Sequence, residues 1–125
     1  MTFAVVAVGG ALGALTRYVL VVRVYGWLGI DFPWGTLGVN VLGSLLLGVV
    51  IALIEERGSF SPEERTFLTV GFLGGMTTFS TFVYEGWAFT RDGEILRAGA
   101  YAVLSLVGAF TAFALGHTLV RVLEG

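Results

Sequence analysis

The chain has 125 residues, of which 56% are hydrophobic and only 13% are charged, and its formal net charge is −2. A soluble domain carries about 25% charged residues, so this composition excludes a soluble globular domain, whose surface it could not cover. The chain also has no basic excess for binding nucleic acid and no cysteine for disulfide or thiolate chemistry.

Long runs without a charged residue predict where the chain crosses a membrane. Residues 32–54, 66–84 and 98–120 form three such runs of 23, 19 and 23 residues. Because a helix needs about 20 apolar residues to cross a bilayer core, each run predicts one span. An earlier apolar stretch, interrupted by Arg17 and Arg23, predicts another. We therefore expect an all-α membrane protein of one domain, 1–125, with transmembrane helices at about 3–28, 34–54, 62–90 and 95–122.

The second predicted helix carries small and polar residues at four-residue intervals, which places them on one face. They are Thr36, Asn40, Ser44, Gly48 and Ala52. Small residues let helices approach closely, and we interpret Gly48 and Ala52 in that way. A carboxamide at mid-membrane is costly unless it is hydrogen-bonded, and such residues mark transport pathways. Asn40 is therefore a candidate functional residue.

The third predicted helix has a strong start signal and an unusual middle. Ser61, Pro62 and Glu64 fit a capping box with proline at the first helical position. Three glycines lie within residues 71–75, and each weakens a helix by about 1 kcal/mol relative to alanine. Four hydroxyl residues follow, so we predict a break near 74–77, at mid-membrane. Such a break must be buried or line a water-filled cavity, where its free carbonyls suit ions; the alternative is close glycine packing without a break.

Aromatic and hydroxyl side chains near this segment are candidates for an anion path. Phe79 and Phe82 share a face, and their electropositive ring edges could face an anion without binding it tightly. Tyr101 and Ser105, four residues apart on the fourth helix, could add hydroxyl donors or could instead hydrogen-bond between helices. Glu85 is interpreted as an interfacial residue paired with an arginine, the alternative being a proton or cation site.

Arginine residues are divided evenly between the two predicted membrane faces. Three lie on the side of the termini, namely Arg57, Arg65 and Arg121. Three lie on the opposite side, namely Arg23, Arg91 and Arg97. Orientation normally follows an asymmetry of lysine and arginine, which is missing here. Either the equal numbers of arginines arise by chance in a small protein, or the chain inserts in both orientations and could form an antiparallel homodimer.

Three glycine-rich motifs follow one another along the chain. They are GGALGALTRY at residues 9–18, GTLGVNVLGS at 35–44 and GFLGGMTTFSTF at 71–82. In this order they resemble the Fluc (CrcB) family of fluoride channels over the whole chain, and the third motif is the most specific. The resemblance implies an antiparallel, dual-topology homodimer with two fluoride pores, which exports fluoride passively across the cytoplasmic (inner) membrane.

The resemblance also implies which residues form the site. The fluoride path matches Asn40, Phe79 and Phe82, and the family's other polar pore residues match Thr36, Ser80, Tyr101 and Ser105. A structural sodium ion at the centre of the dimer would be bound by backbone carbonyls of both subunits. By motif position these carbonyls belong to Gly74 and Thr77. Arg17 matches the motif arginine of the first helix, for which we expect a structural or vestibular role.

Two other classes of membrane protein compete with this interpretation. Small proton-coupled exporters are also four-helix antiparallel dimers of this length, but they need a glutamate deep in the first helix, which has no acidic residue here. A non-transporting assembly subunit would explain the packing glycines but not the segment 71–82.

Overall fold

The protein consists almost entirely of helices, as a computed structural model describing residues 1–125 shows. Helix α1 (Thr2–Leu28) is followed by α2 (Trp34–Arg57), and α6 (Ile95–Glu124) ends the chain. Between them a third span, Pro62–Arg91, is built from α3 (Pro62–Thr66), a π-helix π1 (Phe67–Leu73), α4 (Gly74–Met76) and α5 (Phe79–Arg91). By length and apolar composition, the four spans can each cross a membrane, which confirms the predicted fold class.

Local sequence signals explain where the helices begin and end. Helix α2 ends at Gly58 in the left-handed conformation (φ 60°), which glycine adopts without the strain of a Cβ. The third span begins with the predicted capping box: Ser61 Oγ accepts from the N–H of Glu64, and the Glu64 carboxylate accepts from the N–H of Ser61. Because the connections between spans are short, successive spans run antiparallel.

Glycines set the closest approaches between helices. Gly9 and Gly13 of α1 lie against the backbone of π1, where a Cβ on Gly13 would overlap the carbonyl of Phe72. On the other side of the subunit α2 packs along α6, and a Cβ on Gly48 would overlap the carbonyl of Phe113. Ala52 is fully buried on the same stripe. The packing role predicted for Gly48 and Ala52 is therefore confirmed.

Two arginine–glutamate ion pairs and one histidine–glutamate hydrogen bond join the ends of α2 and α6 on the side of the termini. His117 Nε2 lies 2.7 Å from a carboxylate oxygen of Glu55, and Arg121 Nε lies 3.2 Å from one of Glu56. Arg57 pairs with Glu124. Between the charged ends of the spans many large apolar side chains are exposed, and only 17 of 125 residues are buried within the subunit. Such a surface is suited to contact lipid or another apolar protein face.

Candidate functional site at the break of the third span

The third span is interrupted at Thr77 and Thr78, two consecutive residues with extended backbone. Their φ,ψ angles are −92°, 157° and −149°, 119° respectively. Helix α5 restarts immediately with Thr78 as its N-cap, whose Oγ1 accepts from the N–H of Thr81 at 3.2 Å. The sequence placed the break near 74–77, and the structure has its extended residues at Thr77, the last of that window, and at Thr78, one residue beyond it. The N-terminus of α5, with its free N–H groups and positive dipole end, thus lies inside the span.

Side chains from two other helices bond to the polypeptide backbone at the break. Asn40 on α2 pairs with Thr78 in both directions: the N–H of Thr78 donates to Asn40 Oδ1 at 2.8 Å, and Asn40 Nδ2 donates to the Thr78 carbonyl at 2.9 Å. From α1, Arg17 Nε donates to the carbonyl of Gly75 at 3.1 Å. Buried backbone groups need partners, and these three bonds supply them where the helix does not.

The interruption leaves the carbonyls of Gly74 and Thr77 without their usual donors. In a continuous helix they would accept from the N–H groups four residues later, those of Thr78 and Thr81. Those two N–H groups donate instead to Asn40 Oδ1 and Thr78 Oγ1. Neither carbonyl accepts another backbone hydrogen bond in the subunit. Two main-chain oxygens are therefore available to a ligand at mid-span.

A cavity of about 280 Å³ lies between α2, the broken span and α6. Six of the predicted site residues line it, namely Asn40, Gly74, Thr77, Phe79, Phe82 and Ser105. None of its 14 lining residues is charged. The hydroxyl of Ser105 is buried and has no hydrogen-bond partner in the subunit. A buried hydroxyl without a hydrogen-bond partner is costly. A ligand in the cavity that accepts a hydrogen bond from Ser105 would remove this cost.

Aromatic rings form one wall of this site. The ring centroids of Phe79 and Phe82 are 5.5 Å apart, and those of Phe82 and Tyr101 are 5.2 Å apart. Phe82 is partly buried, whereas Phe79 is 69% exposed in the single subunit. The row continues beyond Tyr101 to Phe32 and Phe89, at centroid distances of 5.5 and 6.2 Å. This extension was not foreseen, because Phe32 lies in the connection between α1 and α2, Phe89 on α5 and Tyr101 on α6.

Four other predicted site residues lie outside the cavity lining. Thr36 is buried near the start of α2, Ser80 is exposed on α5, and Arg17 reaches the break from α1. Tyr101 is fully buried, and its hydroxyl donates to Glu85 across the α5–α6 contact at 3.0 Å. Its hydroxyl thus makes the interhelical bond that was the alternative at the sequence level.

The prediction that Glu85 pairs with an arginine is wrong. The Glu85 carboxylate accepts hydrogen bonds from Tyr101 and from the hydroxyl of Tyr25 on α1, the latter at 3.4 Å. Tyr25 was missed altogether, because a partner 60 residues away leaves no local spacing signal. The two phenol groups satisfy the carboxylate without a formal counter-charge.

The chain resembles known proteins over most of its length. Residues 4–117 match the family model described as CrcB-like protein, Camphor Resistance (CrcB). The chain is 51% identical over 124 residues to the fluoride-specific ion channel FluC of Thermus thermophilus, covering 98% of each chain. It is 44% identical over 118 residues to the FluC protein of Hahella chejuensis, covering 94% of this chain and 93% of that one. The matched range includes the break and the whole cavity lining.

Proposed function

The chain belongs to the CrcB family, and from this membership we propose that it is a fluoride-selective channel through which fluoride leaves the cytoplasm passively. It is accordingly a multi-pass protein of the cell membrane and an ion channel rather than an enzyme. The structural observation that carries the proposal is the cavity beside the helix break. Hydrogen-bond donors line this cavity, and none of its lining residues is charged.

The chemistry of this cavity suits a small anion that must pass and not stay. Fluoride is strongly hydrated, so several donors must replace the water that it loses. The Ser105 hydroxyl, the remaining N–H of Asn40 and the N-terminus of α5 are available for this, together with the ring edges of Phe79 and Phe82. Because no arginine or lysine lines the cavity, no fixed charge traps the anion, and release stays possible. Ser80 and Thr36 are proposed to extend this polar path.

We also propose that a sodium ion binds the carbonyls of Gly74 and Thr77. Carbonyl oxygens of unwound transmembrane segments are suitable ligands for sodium. The lack of a backbone donor at both oxygens fits such a role. Two carbonyls are too few for one ion, so a second subunit would complete the shell. The ion would supply positive charge that holds the two breaks together.

The second subunit is proposed to be another copy of this chain in the opposite orientation. The even division of arginines supports insertion in both orientations. The exposed aromatic Phe79 beside the break supports a partner surface there, as do the many apolar residues that the subunit leaves uncovered. Terminal tags should therefore be found on both sides of the membrane. Tags on one side alone would exclude the homodimer and require an oppositely oriented partner chain.

Ion efflux from liposomes that contain the purified protein tests the proposed function. We expect rapid loss of fluoride and retention of chloride, with a rate that does not depend on an imposed proton gradient. Fluoride movement that follows the proton gradient would instead support a coupled exporter. A folded dimer that moves no fluoride would refute the proposal.

A further inference from the structure

The carboxamide of Asn40 is hydrogen-bonded mainly to the backbone of the break, which leaves few of its polar groups for an ion. Its oxygen accepts from the N–H of Thr78, and its nitrogen donates to the carbonyl of the same residue. A side-chain amide has one such oxygen and two N–H donors, so only one N–H remains for any ligand. Two bonds to one residue also fix the orientation of the amide. Asn40 thus uses one of its two N–H groups and one of the two lone pairs of its oxygen to hold Thr78.

Arg17 reaches the break from the opposite side because glycines bring α1 close. Gly13 abuts π1 and α4 so closely that a Cβ there would lie 2.9 Å from the Met76 nitrogen. Arg17 follows one turn later on the same face of α1. Its Nε then meets the carbonyl of Gly75, to which the N–H of Phe79 would donate in a continuous helix. Arg17 therefore takes the place of a helical bond that the break removes.

We propose that Arg17 and Asn40 act together as positioning residues, here named the break clamp. They bond the Gly75 carbonyl and both polar backbone groups of Thr78, and so hold the chain extended between them. The Thr78 N–H is thereby kept away from the carbonyl of Gly74, to which it would donate a hydrogen bond in a continuous helix. The clamp thereby keeps the carbonyls of Gly74 and Thr77 available for a cation. The link to the cation rests on the proposed function; the clamp itself does not.

Backbone amide exchange tests the clamp without reference to any ion. In Asn40→Ala the N–H of Thr78 loses its acceptor, and its exchange should accelerate by about tenfold or more in the membrane-embedded protein. Asn40→Asp keeps the acceptor oxygen but not the donor, so the Thr78 amide should stay protected. Ser105→Ala changes the same cavity without touching the break and should leave this amide unchanged. Equal exchange in Asn40→Ala and the native protein would overturn the clamp.

The sodium dependence of fluoride efflux tests whether the clamp keeps the carbonyls of Gly74 and Thr77 available for a cation. Asn40→Ala and Arg17→Met should need about tenfold more sodium for half-maximal efflux, with N-methylglucamine replacing sodium in the titration. High sodium should partly restore both variants. Arg23→Met removes an exposed arginine from the same helix and should behave as the native protein does. Ser105→Ala should lower efflux without a change in the sodium requirement.

The possible results separate the clamp from the channel. An unchanged sodium requirement in both clamp variants would overturn the proposed role of the clamp in placing the carbonyls. A native protein that conducts no fluoride would refute the proposed function. The exchange of the Thr78 amide would still decide whether the clamp exists.

Discussion

The glycine contacts of α1 yield a stability prediction that can be worked out from a matched pair of variants. A Cβ at Gly13 would overlap the carbonyl of Phe72, whereas a Cβ at Gly10 meets no atom within 4 Å. Both changes place alanine in the interior of the same helix, where it gains about 1 kcal/mol over glycine. This propensity gain cancels when the two variants are compared, so their difference reports the overlap alone.

The overlap at Gly13 involves backbone atoms, which cannot rotate away as the end of a side chain can. Overpacking of this kind typically costs about 1–3 kcal/mol. Gly13→Ala should therefore be less stable than Gly10→Ala by about that amount, in thermal or denaturant unfolding in the same detergent. Moving α1 outward would also withdraw Arg17 from Gly75, so fluoride efflux should fall in Gly13→Ala. Equal stability and equal efflux in the two variants would refute the close α1–π1 packing and the reasoning built on it.

Three further variants test individual contacts of the site. Phe79→Ile or Phe82→Ile should lower fluoride efflux from liposomes, because an aliphatic side chain has no electropositive edge. The dimer should stay intact on gel filtration. Unchanged efflux in both variants would show that the ring edges do not contribute to the fluoride path. Tyr101→Phe should destabilise the protein by about 1–3 kcal/mol, because it removes the 3.0 Å bond to a partly buried carboxylate. The matched control is Tyr84→Phe at a 67% exposed position of α5, and equal unfolding of the two variants would contradict the role of the Tyr101 hydroxyl.

Features set by neighbouring residues in the chain could be predicted from the sequence. Three charge-free runs and one apolar stretch interrupted by two arginines, each long enough for a bilayer, predicted the four spans. Ser61 with Glu64 predicted the start of the third. Glycines followed by hydroxyl residues were sufficient to predict an interruption, because both weaken a helix locally.

Contacts between distant residues could not be predicted in the same way. Asn40 was a candidate because an amide at mid-membrane needs partners, but nothing in the sequence indicated that Thr78, 38 residues away, supplies them. The tyrosine partners of Glu85 were missed for the same reason. The π-helix Phe67–Leu73 was also not foreseen, since its wider winding has no hydrophobic period of its own that distinguishes it from an α-helix.

The central claim is that fluoride passes through the cavity beside the break, and blocking that cavity tests it most directly. Ala109 lines the cavity, whereas Ala114 on the same helix is exposed on the outer surface. Fluoride efflux from liposomes should be abolished in Ala109→Phe and retained in Ala114→Phe, with both variants dimeric. Native efflux in a folded, dimeric Ala109→Phe would contradict the account, because fluoride would then cross by another path.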